Sequence, residues 1–248
     1  MVSIITPCYN AEKYIAKAID SVINQTYSDW EMLICDDCST DNSCKIVEYY
    51  CKLDNRIKLF KTDRNTGTPA EPRNIGLKKS QGEYIAFLDA DDIWLPEKLE
   101  YQLKFINTHN YYFVYSDYEK INSEGIRNNR IITVAKKSNY KTILKSCDIP
   151  FLTALLKKDI VSNMFFIAKP KEDYIFWLQL LKTSNITAYN TNKVLALYRE
   201  SNDSRSSNKL KMIKNQWDIL RKIEGLPYLH TTYYILVYLF KGFVKYIK

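Results

Sequence analysis

An α/β fold with a mostly parallel, twisted sheet flanked by helices is what this sequence predicts, and three observations carry the prediction. Over residues 1–115, short apolar runs alternate with segments whose apolar residues recur at helical spacing. The runs are continuously apolar and rich in β-branched residues, as strands buried on both faces require. Acidic residues directly follow two of them, as Asp36-Asp37 and as Asp89 to Asp92. Sheets of this kind bind ligands outside the carboxyl ends of their strands, so those acids mark the expected site.

The elements follow in order. Residues 2–6 form a first strand that stops at Pro7. Ile15, Ala18, Ile19, Val22 and Ile23 share one helical face. Residues 32–35 form a second strand, and Asp41 or Ser43 caps a helix carrying Ile46, Val47 and Tyr50. Residues 57–60 are a third strand. A Gly-, Thr- and Pro-containing loop leads to Pro72 and a short helix with Arg73 and Asn74. Residues 84–88 are a fourth strand ending at Asp89, Pro96 opens a helix, and residues 113–115 close the run. Beyond this the alternation loosens. Strands are expected at 131–134, 151–156, 186–189 and 194–198, and helices at 173–181, 208–223 and through the tail.

Composition narrows the class. Six glycines are too few for repeated glycine-cradled phosphate loops. The net charge of +8 is concentrated in residues 205–248, which hold nine Lys/Arg against two Asp/Glu. A basic tail suits anionic lipid or a phosphorylated substrate. No helix-turn-helix, zinc-finger or RNA-binding signature accompanies it, so no nucleic-acid partner is expected. The tyrosines number 20, a residue suited to sugar faces and to membrane interfaces. No basic, apolar leader precedes the first strand, which predicts a cytoplasmic protein whose six cysteines are reduced thiols. Cys35 and Cys38 form a C-x-x-C, but no second pair completes a zinc site. The apolar run at 231–240 is shorter than the roughly 18 residues of a spanning helix, and lysines follow it. It reads as a helix lying on a membrane surface or packed on the domain.

The chemistry centres on Leu88-Asp89-Ala90-Asp91-Asp92. Three carboxylates at the end of a buried strand repel one another unless a cation compensates, and a divalent ion with oxygen ligands would do so while holding a diphosphate. The plainer alternative, an acidic turn before the Pro96 helix, accounts for one aspartate better than for three.

Five motifs occur in a fixed order. They are Thr6-Pro7-Cys8-Tyr9-Asn10, Cys35-Asp36-Asp37-Cys38-Ser39-Thr40-Asp41, Arg73-Asn74-Ile75-Gly76, Asp89-Ala90-Asp91-Asp92 and Glu172-Asp173. Together they resemble family 2 glycosyltransferases of the GT-A, Rossmann-like fold. The resemblance implies one domain over 1–204, with a nucleotide-sugar-binding half at 1–115 and an acceptor-binding half at 116–204, followed by a basic helical tail at 205–248. It implies that Thr6, Pro7 and Tyr9 border the nucleotide base and that Asp37 accepts from the base imide, favouring uracil. Arg73 would reach the base or diphosphate, and Asp89 the ribose or metal-bound water. Asp91 matches the metal-ligand position of a D-x-D motif for Mn²⁺ or Mg²⁺, with Asp92 orienting its neighbours. Asp173 would be the general base of an inverting transfer, with Glu172 in support. Tyr198-Arg199 and Ser204 resemble a late segment that closes over the diphosphate, but no histidine follows the arginine soon after, which puts the role of that loop in doubt.

The resemblance is nearest to bacterial O-antigen and surface-polysaccharide transferases. It implies a UDP-sugar donor, a GlcNAc acceptor on undecaprenyl diphosphate, and a place at the inner face of the cell membrane. A polyprenyl-phosphate sugar synthase, a UDP-Gal or UDP-GlcNAc transferase, a nucleotidyltransferase and a sugar-nucleotide-binding scaffold are the competing readings. The first needs no strong base, the nucleotidyltransferase releases pyrophosphate, and the scaffold turns nothing over.

Overall fold

Elements β1 (Val2–Cys8), α1 (Ile15–Ile23), β2 (Trp30–Asp36), α2 (Ser43–Leu53), β3 (Ile57–Lys61), α3 (Ala70–Lys79) and β4 (Tyr84–Phe87) alternate without a break, as the sequence pattern requires. The computed structural model describes residues 1–200 and 209–247. The expected boundary at 204/205, and Ser204 itself, lie outside the described residues. The chain continues through β5 (Ile93–Trp94), α4 (Lys98–Thr108), β6 (Phe113–Ile121), β7 (Arg127–Ile132), β8 (Lys137–Ser138) and α5 (Tyr140–Ile143). Then come β9 (Leu155–Lys157), α6 (Glu172–Ser184), β10 (Ala188–Arg199), α7 (Lys209–Asp218) and α8 (Tyr228–Ile247).

One sheet runs through both expected halves, in the order β3-β2-β1-β4-β9-β6-β10-β5, with β7 on β6 and β8 on β10. Strands β1 to β4, β6 and β10 all run one way, and β5, β7, β8 and β9 run against them. The sheet is therefore mixed, with its parallel character strongest in the first four strands. β1 is buried throughout because it pairs along both edges. Its Pro7 is tolerated because pairing with β4 ends at Ile5–Phe87, two residues earlier, so no ladder bond is lost there.

Two apolar layers cover the faces. On one, Ile4, Ile15, Ile19, Met32 and Leu99 join α1, α2 and α4 to the sheet. On the other, Ile5, Phe87, Tyr115, Tyr174 and Trp177 do so for α3, α5 and α6. Gly76 lets α3 cross β1 closely: a Cβ built there would lie 2.4 Å from Ile5 Cγ2.

Four expectations need correction. Residues 151–153 form a 3-10 turn, not strand, because Pro150 starts a turn closed by the Thr153 amide, and β9 begins only at Leu155. The strands expected at 186–189 and 194–198 are one strand, β10, with a bulge where Asn192 adopts φ 55°. The strand expected at 131–134 is β7, which stops at Ile132 where Asp117 takes the Val134 amide. The helix expected at 208–223 ends its α-helical part at Asp218 and finishes in a π-turn over Ile219–Ile223.

Candidate active site

The loops leaving β1 and β2 are laced into one platform. Asn10, at φ 47°, accepts the Thr40 amide at 2.8 Å and donates its own amide to Ser39 Oγ at 2.9 Å. The Ala11 amide donates to Ser43 Oγ at 2.7 Å, and the Glu12 amide to Asp41 at 3.0 Å. Glu12 in turn accepts from the Asn42 amide at 3.0 Å. Adjacent parallel strands bring the loops side by side, and short polar residues satisfy the backbone at their tips. Tyr9 stands exposed on this platform, with Thr6 and Pro7 buried beneath it. Thr6 Oγ1 is buried without a hydrogen-bond partner among the described residues.

Asp37 is only 4% exposed and accepts from Thr62 Oγ1 at 2.9 Å and from the amide and hydroxyl of Thr66 at 3.0 Å each. Its carboxylate therefore holds down the 62–66 loop. The Thr66 amide and hydroxyl each lie within hydrogen-bond distance of both carboxylate oxygens.

The acidic loop follows β4. Asp92 is buried and accepts the Arg199 amide at 2.9 Å, which fastens the end of β10 to this loop. Burial pushes its carboxyl well above the usual range, and Asp91 and Asp89 push it further. Burial, then the charge of Asp89, raises Asp91 to about 6. No other described side chain pairs with the Asp91 carboxylate. Arg199, expected to reach the diphosphate, is bound mainly to backbone carbonyls: Asp91 at 2.7 Å, Ser123 at 3.0 Å and Asn122 at 3.2 Å. Its Nη2 is buried and has no hydrogen-bond partner among the described residues.

Arg73 also differs from its expected outward reach. At 3% exposure its guanidinium bridges Asp89 at 2.7 Å and Glu172 at 3.0 Å, with the Phe151 ring 4.2 Å away. This joins α3 and the acidic loop to the start of α6, with Arg73 and Glu172 lying 99 residues apart in sequence. The neighbouring Asn74 fixes the same junction by exchanging hydrogen bonds with the Phe166 backbone at 2.7 and 3.0 Å. Sequence reasoning missed both links, because no local spacing signals a contact that the tertiary fold alone creates. Burial raises the Glu172 carboxyl while Arg73 opposes the rise. Asp173, beside it, is partly exposed and, among the described residues, accepts only from the Tyr174 amide, at 2.8 Å. Of the acidic pair, Glu172 is thus committed to Arg73 and Asp173 is open.

Among the described residues, no group of three His, Cys, Asp or Glu side chains could hold a metal by itself. A divalent ion nevertheless fits at Asp91. Its desolvated carboxylate forms no ion pair with a described side chain, and Mg²⁺-type sites take one or two carboxylates and complete their shell from substrate phosphates and water.

The sheet order, with an acidic loop at the carboxyl edge of its parallel strands, is that of the GT-A fold. The fold matches S. aureus TarS 1-349 in complex with UDP-GlcNAc at TM-score 0.74 and 24% identity, covering 96% of this chain and 71% of that one. The model of Glycosyl transferase family 2 matches residues 3–165, and the chain belongs to that family. Over 246 residues it is 42% identical to the Escherichia coli UDP-Glc:alpha-D-GlcNAc-diphosphoundecaprenol beta-1,3-glucosyltransferase WfgD, covering 99% of this chain and 94% of WfgD. WfaP of Escherichia coli, with the same described activity, is 36% identical over 99% of this chain and 95% of its own.

Proposed function

We propose that this enzyme transfers glucose from UDP-glucose, with inversion, to GlcNAc on a lipid diphosphate, forming a β1,3 bond in surface-polysaccharide synthesis. The observation that carries this reading is the 42% identity to WfgD along nearly the whole of both chains. That match includes the second half, where acceptor contacts would lie.

The side chains divide the work. Thr6, Pro7 and Tyr9 border the uracil, and Asp37 accepts a hydrogen bond from its imide N–H. Asp173 accepts the proton of the attacking GlcNAc hydroxyl as that oxygen bonds to the anomeric carbon. The bond from that carbon to the UDP oxygen breaks, and its electron pair leaves with the diphosphate. Arg199, whose Nη2 is buried without a hydrogen-bond partner among the described residues, is assigned to the diphosphate. Arg73 positions both sides by bridging Asp89 and Glu172. Mn²⁺ or Mg²⁺ bound at Asp91 would act as a Lewis acid on the diphosphate.

We place the enzyme at the inner membrane face, with α8 as its contact. Among the described residues no helix is long and apolar enough to cross a membrane. Leu229, Tyr233, Leu236 and Phe240 are all exposed, and their spacing puts them on one face of α8.

The test is transfer from several UDP-hexoses to a synthetic GlcNAc-diphosphate-alkyl acceptor in the presence of Mn²⁺. We expect UDP-glucose to be used best, one UDP per disaccharide, and a β1,3 linkage by NMR. Better use of UDP-galactose or UDP-GlcNAc would reject the donor assignment, and release of pyrophosphate would reject the reaction.

A further inference from the structure

A second cavity, of about 250 Å³, opens beside the start of α6, between that helix, the 146–147 turn and helices α7 and α8. Ser146, Lys171, Tyr174, Gln216, Tyr238 and Lys241 are among the residues that line it. Lys171 immediately precedes α6 and holds φ 61°, a left-handed conformation that L side chains rarely adopt. Its ammonium contacts neutral groups only: Gln216 Oε1 at 2.9 Å, Tyr238 Oη at 3.5 Å, and the Tyr238 ring at 4.9 Å. No carboxylate of a described residue is in ion-pair contact with it. Burial accordingly lowers its pKa, although the charges of Cys147 and Asp173 oppose this. Lys241 supplies a second cation to the cavity, 3.2 Å from Asp148.

A largely buried ammonium with hydrogen-bonding neighbours, open space and no ion-paired carboxylate among the described residues is the arrangement an anion completes. The position suggests which anion. Lys171 lies two residues before Asp173, the group assigned to take the acceptor proton. In a GlcNAc-diphosphate acceptor, the attacked 3-hydroxyl and the diphosphate at C1 are carried by one sugar ring, a single ring carbon apart. The cavity is also lined by α8, through Tyr238 and Lys241.

We propose that this cavity is the acceptor-diphosphate subsite, with Lys171 as its principal cation and Lys241 as the second. The inference rests on the reading of the acceptor as a lipid diphosphate. It makes Lys171 a specificity residue that favours diphosphate-linked GlcNAc over free or neutral glycosides.

The experiment compares wild type, Lys171→Gln and Lys171→Arg on a short-chain GlcNAc-diphosphate-alkyl acceptor and on the neutral GlcNAc-alkyl glycoside. Melting temperature and the KM for UDP-glucose are measured alongside. For Lys171→Gln we expect the KM of the diphosphate acceptor to rise about tenfold to a hundredfold, the loss of one charge-assisted contact. The KM values of the neutral glycoside and of UDP-glucose should change little, and Lys171→Arg should recover most of the loss. A lowered melting temperature with equal losses on both acceptors would overturn the proposal, making Lys171 a strut between α6 and the tail helices. So would a loss confined to binding of phosphatidylglycerol vesicles, which would make the cavity a headgroup site. Wild-type enzyme with equal KM for both acceptors would reject the lipid-diphosphate reading itself. A diphosphate preference that survives unchanged in Lys171→Gln would reject only the subsite.

Discussion

Asp91 and Asp92 are adjacent aspartates doing different things, and the difference follows from what each carboxylate touches. Asp92 is spent on the Arg199 amide, whereas the Asp91 carboxylate feels Asp89 more than Arg199 and forms no ion pair among the described residues. Its folded value of about 6 lies above its ordinary 3.8, so the neutral acid is the form the fold favours. That contribution is present in full below 3.8 and is lost as pH rises through about 6, where the carboxylate becomes available to a metal. Scanning calorimetry from pH 4.5 to 8 should show no Mn²⁺-induced rise in melting temperature at the acid end and a clear rise above about pH 6. Asp91→Asn should abolish that rise and the activity while folding normally. A rise that persists in this variant would move the metal elsewhere. On the acceptor side, Asp173→Asn should lower kcat by roughly 10²–10⁴-fold with donor affinity and stability retained, the usual range for loss of a general base. Glu172→Gln should behave differently. It frees one side of Arg73, so melting temperature should fall together with activity. Normal turnover in Asp173→Asn would move the base off this residue.

At the scale of elements, legibility tracked how local the determining interaction was. The first four strands and three helices were readable because each follows from its own apolar run or helical stripe. The 3-10 turn at Phe151 was not, since its apolar residues serve a contact: Phe151 stacks against both Arg73 and Phe87. Nor could the bulge that joins the two expected strands into β10 be read, because Asn192 in a left-handed conformation resembles an ordinary loop residue. The motif Arg73-Asn74-Ile75-Gly76 was legible as a pattern, and the structure supplies its reason. Gly76 sets the closeness of α3 to β1, and Arg73 and Asn74 project from the same helix to the junction with α6. Gly76→Ala should therefore act on both stability and chemistry. Its Cβ would overlap Ile5, costing about 1–3 kcal/mol as overpacked core substitutions do. The outward shift of α3 should also misplace Asp89 and Glu172 through Arg73, lowering kcat more than the KM for UDP-glucose. A variant with reduced melting temperature but wild-type kcat would show that α3 position and site geometry are uncoupled.

Across the whole molecule, charge and apolar exposure were concentrated by the sequence at the same end, and only the structure shows how they are arranged. Buried Thr231 and Ile235 seat α8 on the domain, while Leu236 and Phe240 point outward at 61% and 69% exposure. The two alternatives left open for the tail are therefore opposite faces of one helix. If the outer face enters a bilayer, Leu236→Ser with Phe240→Ser removes side chains worth about 1.5–3 kcal/mol each when fully buried. Insertion at an interface buries part of that area, so affinity for phosphatidylglycerol vesicles should fall about tenfold to a hundredfold. Because both residues are exposed, melting temperature should hold. Turnover of a short-chain acceptor in free solution should also hold, since neither residue is assigned to the site. Turnover of a long-chain acceptor embedded in vesicles should fall with vesicle affinity, because catalysis there requires docking first. Replacing phosphatidylglycerol with phosphatidylcholine should weaken wild-type binding as well, through the basic tail, and high salt should do the same. Cosedimentation and the two acceptor assays together decide the matter: a double variant that binds vesicles as wild type does would leave the face of α8 exposed without a membrane role.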